Sequence, residues 1–275
     1  MASSASRSIF LTLRFFAEAP WPEARAVTIW RLCHDPQYQL AGRSLPREAQ
    51  THFPTTGTHV ERYAQSPAAA EINSSFHRPH RPATYARWSA SVPATFRFFV
   101  KLPRTISHEA RLVSAGPALD AYLPSPFALR TTLGCLLMPL PPSLAFSADL
   151  TALVFGELRA RYVGPVAAEP HHTSWFGDEA HQLLMAWQIG RVVADPARVS
   201  EAAIRGGSLE TVYYRLHGSP RIYHSVYDDA FLDGIAVKLV AAPAEAWCIS
   251  DNTTLGAATG NALGVVERVR NAGRR

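Results

Sequence analysis

Several short stretches of this 275-residue chain end in side chains that can move protons, hold anions or ligate metal. They read Glu71-Ile72-Asn73, Phe99-Val100-Lys101, Glu169-Pro170-His171-His172, Arg215-Leu216-His217 and Asp251-Asn252-Thr253. Glu71 and Glu169 are candidate proton acceptors, His172 and His217 candidate acids or metal groups, and Lys101 and Arg215 candidate anchors for negative charge. Only Lys101 and Lys238 among 27 basic residues are lysine, so Lys101 invites three readings. It anchors phosphate or carboxylate, attacks a carbonyl to form a Schiff base, or serves as a buried counter-ion. Glu169, His172, His217 and Asp251 would together make a divalent metal set. No H-E-x-x-H spacing supports that, and a network of ion pairs is the favoured alternative.

A second tier of residues could touch a ligand: Asn73, His108, His171, Trp175, Tyr227, Asp251 and Asn252. His108 opens a predicted helix and either faces the pocket or lies on the surface. Trp175, Tyr223 and Tyr227 either stack on a sugar or base or pack a lid. Gly256, Gly260 and Asn261 follow the last predicted strand, where barrels often hold phosphate, but would serve equally as an ordinary helix entry.

The elements that must position these groups follow from periodicity. Apolar runs at 38–42, 68–73, 96–101, 133–137, 162–169, 189–194, 211–216 and 246–250 alternate with amphipathic stretches at 58–64, 108–121, 147–161 and 174–186. That alternation predicts an α/β protein, a single (β/α)₈ TIM-type barrel over residues 38–270, with its chemistry at the carboxyl ends of the strands. Side chains alternate along a strand, so Glu71 and Asn73, Glu169 and His171, and Arg215 and His217 share one phase, which points them into the mouth together. Residues 1–37, rich in Ser and Arg with no acid before Glu18, read as an extension outside the barrel.

A hydrophobic content of 47% and 18% charged residues exclude a disordered chain. The net charge of +5 suits an anionic ligand, yet the basic residues are spread along the sequence, which argues against nucleic acid. Cys33, Cys135 and Cys248 lack metal or disulfide spacing and read as reduced thiols. No apolar stretch is long enough for a membrane span, and a soluble, cytoplasmic protein is expected.

The stretches GTHVERYAQ, AEINSSFHRPHRPATYARW, FRFFVKLPRTISHEARL, LPPS, EPHHTSW, YYRLHGSPRIYHSVYDD and DNTTLGAATGNAL resemble the YecE-like family, a domain of unknown function (domain of unknown function 72). The resemblance spans about 38–265 and implies a TIM-type barrel, with no activity established for the family. The motif E-I-N-S-T-F-Y-R falls on Glu71 to Arg78, V-K on Val100 and Lys101, I-T-H on Ile106 to His108, E-x-R-H-x-S-W on Glu169 to Trp175, R-L-H-G on Arg215 to Gly218, and D-N-T on Asp251 to Thr253. Arg43, His77, Pro139 and His171 stand where the family has tryptophan, tyrosine, glutamine and arginine. These departures imply a modified ligand or a lost activity. Three readings stay open: a small anionic, phosphorylated or polyhydroxylated ligand at the mouth; nucleic-acid binding with metal-assisted phosphodiester cleavage; and a non-catalytic scaffold.

Overall fold

Seven of the eight predicted apolar runs contain strands, because β-branched and aromatic residues fill pleated, buried positions at a period of two. The computed structural model describes residues 27–32, 51–65, 69–242 and 244–272. In chain order the strands are β1 (Val27–Leu32), β2 (Ala69–Ile72), β3 (Arg97–Lys101), β4 (Leu133–Leu140), β5 (Val166–Pro170), β6 (Ile189–Arg191), β7 (Val193–Asp195), β8 (Gly206–Gly207), β9 (Val212–Leu216) and β10 (Ala246–Ser250). The α-helices are α1 (His59–Tyr63), α2 (Ser74–His77), α3 (Pro82–Ala90), α4 (Ala115–Tyr122), α5 (Pro124–Phe127), α6 (Ala148–Arg159), α7 (Asp178–Ala186), α8 (Asp229–Val240) and α9 (Ala257–Ala272).

The sheet order is β7-β9-β10-β1-β2-β3-β4-β5-β6-β8, parallel throughout except for the short β8 edge on β6. Only Val192 separates β6 from β7, and its N–H still donates to the Ala168 carbonyl at 2.9 Å. The pair is therefore one interrupted strand whose first half pairs with β5 and whose second half pairs with β9. That continuity closes an eight-stranded parallel ring, as predicted. Gly190 makes the closure possible: a Cβ there would meet the Thr211 carbonyl oxygen at 2.2 Å. Between β7 and β9 the usual crossover helix is replaced by a 3₁₀ turn, Ser200–Ala203, and β8.

Two expectations change. The predicted first strand at 38–42 lies outside the described residues, and the position between β10 and β2 is taken by Val27–Leu32. The stretch 1–37 read as an extension thus contains a barrel strand. The predicted helix over 108–121 begins only at Ala115, after a π-helical turn at Thr105–Glu109 and residues of positive φ at Arg111, Leu112 and Ser114. Pro117 explains this, since its ring excludes a helical carbonyl four residues earlier and is tolerated only in a first turn. Cys135 and Cys248 are free and buried, as the sequence implied, and Cys33 lies outside the described residues. Among the described residues no helix is long and apolar enough to cross a membrane.

Inside the ring Ala69, Phe99, Cys135, Leu137, Ala167, Val192, Tyr213, Trp247 and Ile249 pack together. Phe99 sets the centre, with its ring 4.7 Å from Trp247 and 5.1 Å from Tyr213. A larger apolar layer joins the outer faces of the strands to the helices.

Candidate functional site

One strand period beyond this apolar interior, most positions change character. Ala69 is followed on the same face by Glu71, Phe99 by Lys101, Leu137 by Pro139, Ala167 by Glu169, Tyr213 by Arg215 and Ile249 by Asp251. The predicted phase is therefore the observed one. Glu71, Glu169, Arg215 and Asp251 are all buried, so a polar layer caps the apolar one.

Arg215 is its hub. Its Nε donates to Glu71 Oε2 at 3.1 Å and its Nη2 to Glu71 Oε1 at 2.8 Å and Asp251 Oδ2 at 3.1 Å. Its Nη1 donates to both Glu169 oxygens, at 2.5 and 2.7 Å. A guanidinium has five N–H donors and all five are used. Burial disfavours its charge, but Glu169, Glu71 and Asp251 prevail and hold its pKa well above the usual value. Arg215 is thus the fixed counter-charge of three carboxyl groups, not the open anion anchor expected from the sequence.

His217 is clamped above Arg215. Its Nδ1 lies 3.0 Å from Asp251 Oδ2 and its Nε2 3.2 Å from Glu169 Oε1. Burial and the Arg215 charge favour the neutral ring, but the hydrogen bonds to Asp251 and Glu169 outweigh them and raise its pKa. For Glu169, burial raises the carboxyl pKa, whereas Arg215, His217 and Lys101 together bring it well below the ordinary range. A carboxylate held that low is a weak base, so Glu169 supplies fixed charge more readily than proton abstraction. Glu71 accepts a third hydrogen bond, from the Tyr213 hydroxyl at 2.7 Å. Tyr213 was absent from the sequence-based set, although it shares the phase of Arg215 two residues on.

Around this floor stands a second ring of groups. Lys101 is half-buried at the end of β3, its Nζ 4.8 Å from the centroid of Phe76. The His108 ring meets Phe76 edge-on at 4.9 Å, and its Nδ1 pairs with Ser107 Oγ at 2.9 Å. Burial, with Lys101 and Arg104 nearby, lowers the His108 pKa. His171 is half-buried beyond β5; burial lowers its pKa too, against Glu169 and alongside Arg198, His217 and Lys101. Both imidazoles are accordingly biased to the neutral form. Asn73 follows β2, whose Ile72 is in register with Val100. Its side chain is buried, and neither Oδ1 nor Nδ2 has a hydrogen-bond partner among the described residues.

Other expected members serve elsewhere. His172 caps the 3₁₀ turn Thr173–Phe176, with Nδ1 2.8 Å from Ser174 Oγ. Trp175 is buried, donating Nε1–H to the Leu144 carbonyl at 2.9 Å and meeting Phe146 edge-on, so it packs and does not stack on a ligand. The Tyr227 hydroxyl donates to Asp195 Oδ1 at 2.7 Å and accepts from Gly218 N–H at 2.9 Å. Asn252 donates to the Ser225 carbonyl and to Asn261 Oδ1, both at 2.8 Å, and Asn261 in turn holds both backbone groups of Tyr227. These three residues lace the loops after β9 and β10. His77 is exposed. Arg43 lies outside the described residues.

The proposed metal set does not assemble as such. His172 is engaged in its turn, and the carboxylates of Glu169 and Asp251 are directed at Arg215 and His217. Among the described residues no group of three His, Cys, Asp or Glu side chains is placed to hold a metal ion. A shallow depression lined by Met185, Gln188, Ser208, Leu209, Glu210 and Ala244 lies by the starts of β6, β9 and β10, at the other end of the barrel.

Folding also gathers charge that the linear sequence spreads out. Between Asn73 and Leu119 the sequence has seven Arg and Lys residues and one acid, Glu109. Of these, Arg78, Arg81, Arg104 and Arg111 follow the carboxyl ends of β2 and β3 and flank the mouth on the side of Lys101. Arg104 is paired with Glu109 at 2.9 Å, and Arg111 donates to the Ser143 carbonyl at 2.8 Å.

A family model described as a protein of unknown function, DUF72, matches residues 46–275. Among solved structures the chain is similar to a DUF72 family protein from Enterococcus faecalis V583, at 18% identity and a TM-score of 0.71, over 90% of this chain and 96% of that one. It is also similar to a DUF72 family protein from Thermotoga maritima MSB8, at 20% identity and a TM-score of 0.66, over 79% of this chain and 92% of that one. No curated protein matches. At these identities the likeness to solved structures concerns the fold. With the family model covering most of its length, the chain belongs to the DUF72 family.

Proposed function

We propose that the protein binds a small anionic, hydroxyl-bearing ligand at the carboxyl-terminal mouth of the barrel. The observation that carries this reading is Asn73. A buried amide without a hydrogen-bond partner among the described residues costs about 1–3 kcal/mol, and a ligand oxygen or hydroxyl at the mouth would satisfy both ends. Lys101, beside Asn73 across the β2–β3 pair, supplies the cation, and the neutral imidazoles of His108 and His171 supply hydroxyl partners. Glu71, Glu169, Arg215, His217 and Asp251 form a rigid floor whose charges are mutually spent. If chemistry occurs here, His171 and His108 are the bases best suited to it, because Glu169 is held as a weak one.

The test is thermal stability with inorganic phosphate, sugar phosphates and small hydroxy acids, alone and in Lys101→Ala and Asn73→Ala variants. The reading expects at least one of these to raise Tm by mass action in the wild type, with the rise lost in both variants. No stabilisation by any of them refutes it.

A second reading, nucleic-acid binding, draws on the cationic flank formed by the connections after β2 and β3. It expects affinity for an oligonucleotide to fall steeply with salt, by a slope near the number of phosphates contacted, and to weaken in an Arg78→Ala/Arg81→Ala variant.

A further inference from the structure

The two sides of the mouth are chemically unlike. On the β2 and β3 side stand Lys101 and the arginine-rich flank. On the β9 and β10 side four large apolar residues are exposed: Ile222 at 41%, Tyr223 at 44%, Val226 at 67% and Leu255 at 75%. Isolated exposed apolar residues need no explanation, but these share two loops that are tied together. Thr254 N–H donates to the Tyr223 carbonyl at 3.1 Å, and Asn252 Nδ2 to the Ser225 carbonyl at 2.8 Å. Arg221 and His224 lie on the same loop and add no negative charge.

Tyr223 links this rim to the site. Its φ is 68°, a left-handed conformation that is costly for a bulky residue and is sustained only where the surroundings fix it. Here its N–H donates to the His217 carbonyl and its ring meets the His217 ring edge-on at 6.0 Å. From the polar floor, Glu169 holds His217, and His217 carries Tyr223 above it.

We infer that the ligand of this mouth is an amphiphilic anion, with a phosphate or carboxylate head on the Lys101 side and an apolar body lying on Ile222, Tyr223, Val226 and Leu255. The inference rests on the reading of the mouth as an anion site and adds the class of molecule it takes. Complementarity is the argument: a wholly polar ligand would leave the rim wet, whereas an alkyl or aryl ester would cover it while its head meets the cation.

Calorimetric titration with inorganic phosphate and with butyl, hexyl and octyl phosphate below their micelle concentrations tests this. Each methylene laid on the rim should tighten binding about fourfold, from the transfer free energy of one CH₂. A Val226→Asp/Leu255→Asp variant should flatten the series. Val163→Asp, equally exposed but before β5 at the opposite end of the barrel, should leave the series intact. Equal affinity for phosphate and octyl phosphate, both lost in Lys101→Ala, would overturn the inference and keep the anion site. Chain-length dependence that persists unchanged in Lys101→Ala would overturn the bipolar arrangement. Failure of every phosphate to bind removes the anion site and the inference together.

Discussion

Replacing Arg215 with methionine removes the hub of the polar layer while keeping much of its volume. At the observed N to O separations of 2.5–3.1 Å, each ion pair carries about 5–7 kcal/mol of Coulomb energy at an effective dielectric of about 20. Desolvation of the buried groups cancels much of that, so the net cost of stranding the carboxyl groups is about 3–5 kcal/mol. For a chain of this size the loss corresponds to a fall in Tm on the order of 10 °C. The sign with pH gives a sharper readout. In the wild type Glu169 has a depressed folded pKa, so its contribution is present above its ordinary value near 4.5 and disappears as pH falls through the folded value. Without the cation, burial dominates and the same carboxyl is raised, so Arg215→Met should go on gaining stability as pH is lowered from about 6.5 toward 5, below the window in which His217 acts, while the wild type does not. Urea unfolding followed by tryptophan fluorescence across that range measures both curves. Adding Glu169→Gln to Arg215→Met should restore part of the loss, because one stranded charge is removed. A loss below about 1 kcal/mol, with parallel pH profiles, would show that the layer is held by packing and not by charge.

Three further outcomes follow from other contacts. His217 has a raised folded pKa, so its contribution is complete below about 6.5 and is lost as pH rises through the folded value; His217→Asn should abolish that dependence of Tm, and the ring proton shift in NMR should report the raised titration directly. Tyr227→Phe removes the bond to Asp195 and strands the Gly218 N–H, which should cost about 1–3 kcal/mol in urea unfolding. Gly190→Ala drives a methyl into the Thr211 carbonyl and should cost about 1–3 kcal/mol or more, whereas Gly177→Ala, with nothing within 4 Å of its added Cβ, should be close to neutral by the same measurement.

Strand identity and phase were legible because both depend on local alternation. The segment at 246–250 is a strand over its predicted span, and the shared phase of Glu71, Glu169 and Arg215 was readable from single apolar residues between polar ones. The segment Val27–Leu32 is also rich in β-branched and aromatic residues, reading Val-Thr-Ile-Trp-Arg-Leu, but the acid-poor start of the chain favours reading it as an extension. What alternation cannot supply is height and azimuth within the barrel. Glu71 and Arg215 meet across 144 residues, and nothing in the sequence says that all five donors of that arginine find carboxyl oxygens. The roles of Trp175 and Tyr227 were illegible for the same reason, since a backbone carbonyl at Leu144 and a carboxylate at Asp195 decide them. Charge was misleading at the scale of the whole chain. A net +5 hides a stretch of seven cations and one acid that two neighbouring connections bring to one flank.

The arrangement of the mouth in two tiers bears on why a polar layer exists there at all. A buried ion cluster stabilises a fold no better than well-packed apolar residues of the same volume, and it often does worse. The barrel has such residues one period below, at Phe99, Leu137 and Ile249, so an apolar plug at the level of Arg215 was structurally available. Charge at that level is therefore better explained by what stands above it than by stability. A floor whose donors and acceptors are all committed cannot relax toward a ligand, and so it holds His217 and the ends of β2, β3 and β5 in fixed positions. Pro139 fits this picture: in register with Glu169 and without an N–H, it offers no competing donor. In the proposed reading recognition falls to the upper tier, where Asn73, Lys101, His108 and His171 offer a buried amide without a partner among the described residues, a cation and neutral rings. The consequence is a separation that mutation can expose: changes in the floor should act first on folding, and changes in the upper tier first on the ligand.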